Sequence, residues 1–198
     1  MAGLGVVVSR HPVLPGEVAV VEAAVAVPTW LGWPFRIVMQ LGTLVAGLLV
    51  TAGVAWWRRR QGMLGPAAVL VAVLVAYRLD NVVKEIVERP RPYVELPGLH
   101  ERERAGSFAY PSGHTTMAVA VAAALHPILP RRGRIVAWVL AAIVAVTRIH
   151  VGAHWPTDLV GGAALGLTIA AASWLVVERL PTCWFAPPGW NEGPGPDQ

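Results

Sequence analysis

Lys84 and Arg91 are separated by six residues, with Arg89 between them and prolines at 90 and 92. Further along, Tyr110-Pro111-Ser112-Gly113-His114 opens an apolar run, and in a third segment Arg148 precedes His154 by six positions while Asp158 follows His154 by four. Fixed cations can hold the oxygens of a phosphate ester where transition-state charge must be met by positioned groups, and Lys84, Arg91 and Arg148 supply them. Arginine's planar fork suits bidentate phosphate binding. Ser112 and Gly113 at a helix start add backbone N–H groups and a hydroxyl where an anion is favoured. Hydrolysis also needs a nucleophile and a proton donor, and His114 and His154 on separate helix ends can divide those tasks.

The elements that must bring these segments together are helices in a membrane. The 198-residue chain is 55% hydrophobic and 14% charged, with a mean hydropathy of +0.54, which excludes an ordinary soluble domain, a disordered chain and a secreted disulfide scaffold. Cys183 is the only cysteine, so an intramolecular disulfide and a cysteine zinc cage are excluded too. The net charge of +4 comes from basic residues placed between apolar runs rather than on one solvated stripe. That pattern fits anionic lipid surfaces and anionic substrates and argues against nucleic acid.

The expected fold is all-α, a polytopic transmembrane bundle of about five spans. Ile37 to Trp57 carries no charge and as one helix reaches about 31 Å, enough to cross the hydrocarbon. Trp30, Trp33, Trp56 and Trp57 lie at its two ends, where indoles prefer the interface. A second span begins near Met63, continues as a polar helix through Asp80 and Lys84, and ends at Pro90 and Pro92. Residues 93–109 read as a water-exposed loop. Further spans are expected from Ser112 to about Leu129, from Ile135 to about His150, and from Pro156 to about Val177. Residues 1–27 lack the pattern of a signal peptide, and the segment from Glu17 to Val27 suits a helix lying in the interface. Residues 1–180 thus form one membrane domain. The proline- and glycine-rich stretch 181–198 reads as a disordered tail.

Five spans put 78–111 and 148–158 on one face of the membrane, and the arginines at 58–60 and 131–134 with the C-terminus on the other. The second set has the short, acid-free loops expected of the cytoplasmic side.

The three segments closely resemble the signatures of the type 2 phosphatidic acid phosphatase (PAP2) superfamily: K-x6-R-P at Lys84 to Arg91-Pro92, P-S-G-H at Pro111 to His114, and S-R-x5-H-x3-D at Thr147-Arg148, His154 and Asp158. Thr147 stands where the family usually has serine. The resemblance spans Lys84 to Asp158 and implies a metal-independent membrane lipid phosphatase without cofactor. It implies that His154 attacks phosphorus to form a phosphohistidine and that His114 protonates the leaving oxygen. Lys84, Arg91, Ser112, Gly113 and Arg148 would bind the phosphate. Asp158, one turn from His154, can accept the other imidazole N–H and fix its tautomer. Asp80, four residues before Lys84, can orient the lysine or form a plain helix pair.

The expected substrate is a lipid phosphate or diphosphate at the extracytoplasmic face of the plasma membrane. A polyprenyl diphosphate is favoured, with phosphatidate and phosphatidylglycerophosphate close behind. Alternatives are a lipid phosphotransferase, in which a hydroxyl captures the phosphohistidine, and an anion or lipid transporter. The soluble haloperoxidases of the same superfamily do not fit the spans. Glu85, Glu88 and Glu95 read as a solvated face, His150 as a packing residue, and His11, His100 and His126 as structural or solvated.

Overall fold

The computed structural model describes residues 2–99, 102, 106, 108–181 and 185. His100 and nearly all of the 181–198 stretch therefore lie outside the described residues. Regular structure among the described residues is helical: α1 (Ala2–Arg10), α2 (Glu17–Ala26), α3 (Thr29–Met39), α4 (Leu44–Arg58), α5 (Leu64–Val87), α6 (Pro92–Glu95), α7 (Gly113–Leu125), α8 (Arg131–His150) and α9 (Pro156–Val177). Among the described residues, three stretches are long and apolar enough to cross a membrane: Leu64–Glu95, Arg131–His150 and Pro156–Val177. The last of these coincides with the expected fifth span, with Pro156 in the first turn, where its missing N–H costs nothing.

Two expected spans differ. Ile37 to Trp57 is not one straight helix: α3 and α4 are separated by a 3-10 turn, Gln40–Gly42, and the pair is bent by 74°. Thr43 starts α4 afresh, its hydroxyl donating to Gln40 O at 2.7 Å and accepting from Ala46 N at 3.3 Å, which caps the new helix. Gly42 lets the bend happen against α7, since a Cβ there would stand 2.8 Å from the Cβ and carbonyl oxygen of His114. Hydropathy alone reports an unbroken apolar run and carries no signal for this break.

The other difference is α7, which has 13 residues and at 1.5 Å per residue is about 20 Å long, short of the hydrocarbon thickness. It stops at Leu125: His126 keeps helical dihedrals as the C-cap, but Pro127 has no N–H with which to continue the hydrogen-bond ladder. Among the described residues, length and composition give three spans, or four with the bent α3–α4 pair counted as one, with α7 as a shorter apolar helix beside them.

The short helix sits at the centre of the bundle, packed on α5, α8 and α9, with Met117, Ala118, Val119, Ala120, Ala122 and Ala124 buried. Its closest approach is to α9. A Cβ on Gly162 would meet Ser112 O at 2.7 Å, and one on Gly166 would meet Thr116 O at 2.6 Å, so small residues set the backbone separation as they do between membrane helices. Surrounding helices turn Leu49, Val45, Ile135, Val146, Val160 and Leu175 outward, the apolar exterior a lipid-facing bundle requires.

At the N-terminus α2 occupies the expected segment. Glu22 is exposed, whereas Glu17 is buried beneath the chemistry-bearing end of the bundle.

Candidate active site

The C-terminal ends of α5 and α8 and the N-terminal ends of α7 and α9 converge, so the three segments singled out from the sequence lie together. Lys84, on the last turns of α5, is held by Asp80 one turn earlier, Nζ to Oδ2 2.6 Å. This ion pair packs against the first residue of α7: a Cβ on Gly113 would stand 2.3 Å from Asp80 Oδ2 and 2.9 Å from Lys84 Nζ. Gly113→Ala must therefore displace Lys84 from the α7 N-terminus. Displacement of a binding group by about 1 Å costs about 10²-fold, so kcat/KM is expected to fall by that order while the variant still folds. Parallel kinetics and thermal unfolding check this.

After α5 the chain reverses at Glu88, whose φ of 51° is left-handed, and Arg89-Pro90-Arg91 crosses the site as a strap. Arg91 is 4% exposed. Its guanidinium donates to three main-chain carbonyls: Gly106 at 2.7 Å, Phe108 at 2.8 Å and Ala153 at 2.8 Å. The same Nη1 lies 3.3 Å from His154 Nε2. Because a guanidinium can only donate, this contact makes Nε2 the acceptor nitrogen and leaves the ring proton on Nδ1. Nδ1 in turn lies 2.8 Å from Ala109 O, a natural acceptor for that proton.

Asp158 sits behind the same ring nitrogen but farther off, Oδ2 to Nδ1 3.4 Å. The nearer partner of Nδ1 is thus a backbone carbonyl. The carboxylate is anchored elsewhere, accepting from Trp155 N at 2.8 Å through Oδ2 and from Arg89 Nη1 at 2.6 Å through Oδ1. Asp158 closes the first turn of α9 while facing the histidine, which explains its place four residues on.

Ser112, fully buried, is the N-cap of α7, yet no side-chain cap hydrogen bond closes that first turn. Its hydroxyl accepts from Thr115 Oγ1 at 3.0 Å, and its N–H donates to Asp158 O at 3.0 Å. The positive end of α7 thus points toward Lys84 with its early N–H groups available to an anion. His114 follows at the second position of α7, half-buried, beside Gly42. Burial, then the charges of Arg148, His154, Lys84 and Arg91, disfavour a protonated His114 before substrate binds, so the proton it donates is taken up as the phosphate's negative charge enters.

Arg148, 2% exposed, reaches in from the end of α8, with Nη1 2.9 Å from Met39 Sδ. Thr147 does not present its hydroxyl proton to the site. It donates to Ile143 O one turn back at 2.7 Å, a helix-internal bond that the extra methyl leaves unaffected.

His154 lies in the turn between α8 and α9 and is 2% exposed. Burial, then the charges of Arg148, Arg91 and Lys84, hold its pKa well below the ordinary 6.5. The imidazole is therefore neutral at physiological pH, with a lone pair on Nε2.

Several titratable groups fall outside this cluster. His150 Nδ1 lies 2.8 Å from Ala24 O and ties α8 to α2. His126 accepts from Trp138 Nε1 at 3.1 Å at the opposite end of the bundle. Glu85, Glu88 and Glu95 are exposed.

Four contributors escape sequence reasoning. Gly42 and Ala109 act through backbone or through the lack of a side chain, which leaves no residue-type signature. Glu17 and Arg89 form a buried pair, Oε2 to Nη2 2.5 Å, joined to Asp158. A carboxylate inside an alanine–valine helix needs a cation when buried, and that mismatch was the available signal.

Against known proteins, the PAP2 superfamily profile matches residues 65–181. The chain is 29% identical to phosphatidylglycerophosphatase B of Bacillus subtilis over 182 residues, 84% of this chain and 85% of that one. It is 29% identical over 105 residues to an undecaprenyl-diphosphatase of Sulfolobus acidocaldarius, covering 52% of this chain and 51% of the relative. Among solved structures, a transmembrane PAP2-type phosphatidylglycerolphosphate phosphatase from Bacillus subtilis superposes with a TM-score of 0.69 at 25% identity, over 89% of this chain and 94% of that one. The profile match, the shared fold and the phosphatases among the relatives converge: the chain belongs to the PAP2 superfamily and is a membrane phosphatase of that family.

Proposed function

We propose that the protein hydrolyses a lipid phosphate or diphosphate through a phosphohistidine on His154, without a metal ion. The observation that carries this reading is the state of His154: Nδ1 proton directed at Ala109 O, Nε2 in the acceptor role beside Arg91, and the ring kept neutral by burial and three cations.

In the first step the Nε2 lone pair forms an N–P bond, the P–O bond to the lipid breaks, and its electron pair leaves on an oxygen that takes a proton from His114. In the second step His114 accepts a proton from water, the hydroxide forms a P–O bond, and the N–P electrons return to Nε2 as phosphate departs. Lys84, Arg91, Arg148 and the first N–H groups of α7 hold the phosphoryl oxygens throughout. Asp158 favours the ring as positive charge develops on it.

The site lies at one end of the helices, so the lipid chain stays in the bilayer while the head group enters. Arg58, Arg59 and Arg60 end α4, and Arg131, Arg132 and Arg134 begin α8, both at the opposite end. With cations at the site end assigned to phosphate, the positive-inside rule supports a plasma-membrane protein with an extracytoplasmic site and a cytoplasmic C-terminus. Similarity along most of the chain to a phosphatidylglycerophosphatase brings phosphatidylglycerophosphate level with polyprenyl diphosphate as the substrate.

Phosphate release by detergent-purified protein in excess chelator, across polyprenyl diphosphate, phosphatidate and phosphatidylglycerophosphate, tests the proposal. Release from at least one lipid without any acceptor supports hydrolysis. Phosphate that appears only as a phosphorylated acceptor would make the protein a transferase.

The pH profile gives a second expected outcome. Protonation of His154 removes the nucleophile, and its lowered pKa moves that loss to acid pH, so the enzyme's acid limb in kcat/KM lies below 6.5. Profiles with two lipid phosphates separate it from substrate ionisation, which shifts with the substrate. An enzymic limb at or above 6.5 contradicts the assignment.

A further inference from the structure

We propose that Glu17 and Arg89 are positioning residues of the phosphatase: with Asp158 they form a buried carboxylate–guanidinium–carboxylate chain through which helix α2 sets the geometry behind His154. The inference rests on the histidine mechanism above.

The Arg89 side chain has no exposed surface, nor does that of Asp158, and Glu17 is 5% exposed at the side chain. Arg89 Nη1 donates to Asp158 Oδ1 at 2.6 Å and to Thr157 Oγ1 at 2.7 Å, Nη2 donates to Glu17 Oε2 at 2.5 Å, and Nε donates to Pro12 O at 2.8 Å. Glu17 is equally committed: it accepts from Leu14 N at 2.9 Å, from Thr157 N at 3.2 Å and from Thr157 Oγ1 at 2.6 Å. A buried group bonded this completely has one orientation.

Both neighbours of the His154 Nδ1 proton depend on Arg89. Its side chain holds Asp158. Its main-chain carbonyl accepts from Ala109 N at 2.8 Å, holding at its N–H the residue whose carbonyl oxygen meets Nδ1. The guanidinium also lies 5.5 Å from the centroid of the Trp155 ring, and Trp155 Nε1 donates to Pro90 O at 3.0 Å, so the strap and the α9 start move as one body.

Charge gives Glu17 its specific part. Arg89 paired with Asp158 alone would neutralise the carboxylate that faces His154 Nδ1 and draw it from the ring. The second carboxylate shares the guanidinium and leaves net negative charge behind His154, where positive charge develops during phosphoryl transfer. Glu17 therefore acts on the chemical step more than on substrate binding.

The test is Glu17→Gln, which keeps the shape and removes the charge, beside Val21→Ala, which loosens the same helix at a fully buried apolar position without touching the chain of charges. The expected result is a fall of about tenfold or more in kcat with KM within about twofold for Glu17→Gln, and no such fall for Val21→Ala. A kcat for Glu17→Gln within twofold of wild type overturns the proposal, and so does an equal fall for Val21→Ala at the same loss of thermal midpoint. Should Glu17→Gln not yield folded protein, Arg89→Lys, which keeps the charge and loses the fork, is read against the same control and thresholds. His154→Ala assayed in parallel separates the two levels: if it still turns over, the histidine mechanism itself fails, whereas an inactive His154→Ala with full kcat for Glu17→Gln removes only this inference.

Discussion

His154→Ala lowers phosphate release by at least about 10⁴-fold, the scale on which loss of a covalent nucleophile is felt when binding groups remain. Alanine removes Nε2, and with it both the bond-forming step and the intermediate. The structure gives the substitution a limited folding cost, because the ring's polar partners are Ala109 O and the Arg91 guanidinium, and Arg91 keeps its carbonyl partners. His114→Ala behaves differently. It removes the proton donor and leaves the nucleophile, so its defect follows the leaving group: severe for a phosphomonoester, which must expel an alkoxide, and milder for a diphosphate, which expels a phosphate. Parallel assays on phosphatidylglycerophosphate and polyprenyl diphosphate check both variants. A His114→Ala defect equal on the two substrates would remove that residue from the acid role.

Arg91→Lys carries the second largest effect, although it conserves charge. A lysine ammonium is a point donor on a flexible stem and cannot reproduce the guanidinium fork, which spans the carbonyls of Gly106, Phe108 and Ala153 and reaches Nε2 of His154. At least one buried carbonyl loses its partner, at about 1–3 kcal/mol each. The developing charge on the phosphoryl group loses a fixed donor, worth about 10²–10³-fold in kcat. The variant is expected to show both losses, a lowered thermal midpoint and a kcat reduced on that scale. Activity within tenfold of wild type would show that Arg91 holds the loop and does not contact phosphate.

The residues with a local signature were legible in the sequence. Lys84, Arg91, His114, Arg148, His154 and Asp158 announce themselves by type and by spacing near helix ends, and the spacing of Asp80 and Lys84 reads directly as one helical turn, 2.6 Å apart in the fold. The α9 span was legible because Pro156 starts it and no charge interrupts it after Asp158. What escaped depends on contacts between distant segments or on backbone atoms. The bend at Gly42 answers a steric demand from His114 some 70 residues away in sequence. Ala109 holds the nucleophile by its carbonyl, for which any residue type would serve. The proximity of Asp158 to His154 was readable from the four-residue spacing, but its stronger bonds to Trp155 N and Arg89 were not. The apolar residues beyond Leu125 extend the pattern of α7 to Leu129, whereas Pro127, which has no N–H, ends the helix.

Trapping of the phosphoenzyme tests the central claim most directly. Wild-type protein is mixed with lipid substrate carrying ³²P at the transferred phosphoryl, quenched on the timescale of one turnover, and digested for peptide mapping. The expected result is label on the peptide containing His154, stable to alkali and lost in acid as a phosphoramidate is, and absent from His154→Ala. Label that is lost in alkali, maps to Asp158 or another residue, or persists in His154→Ala would contradict it.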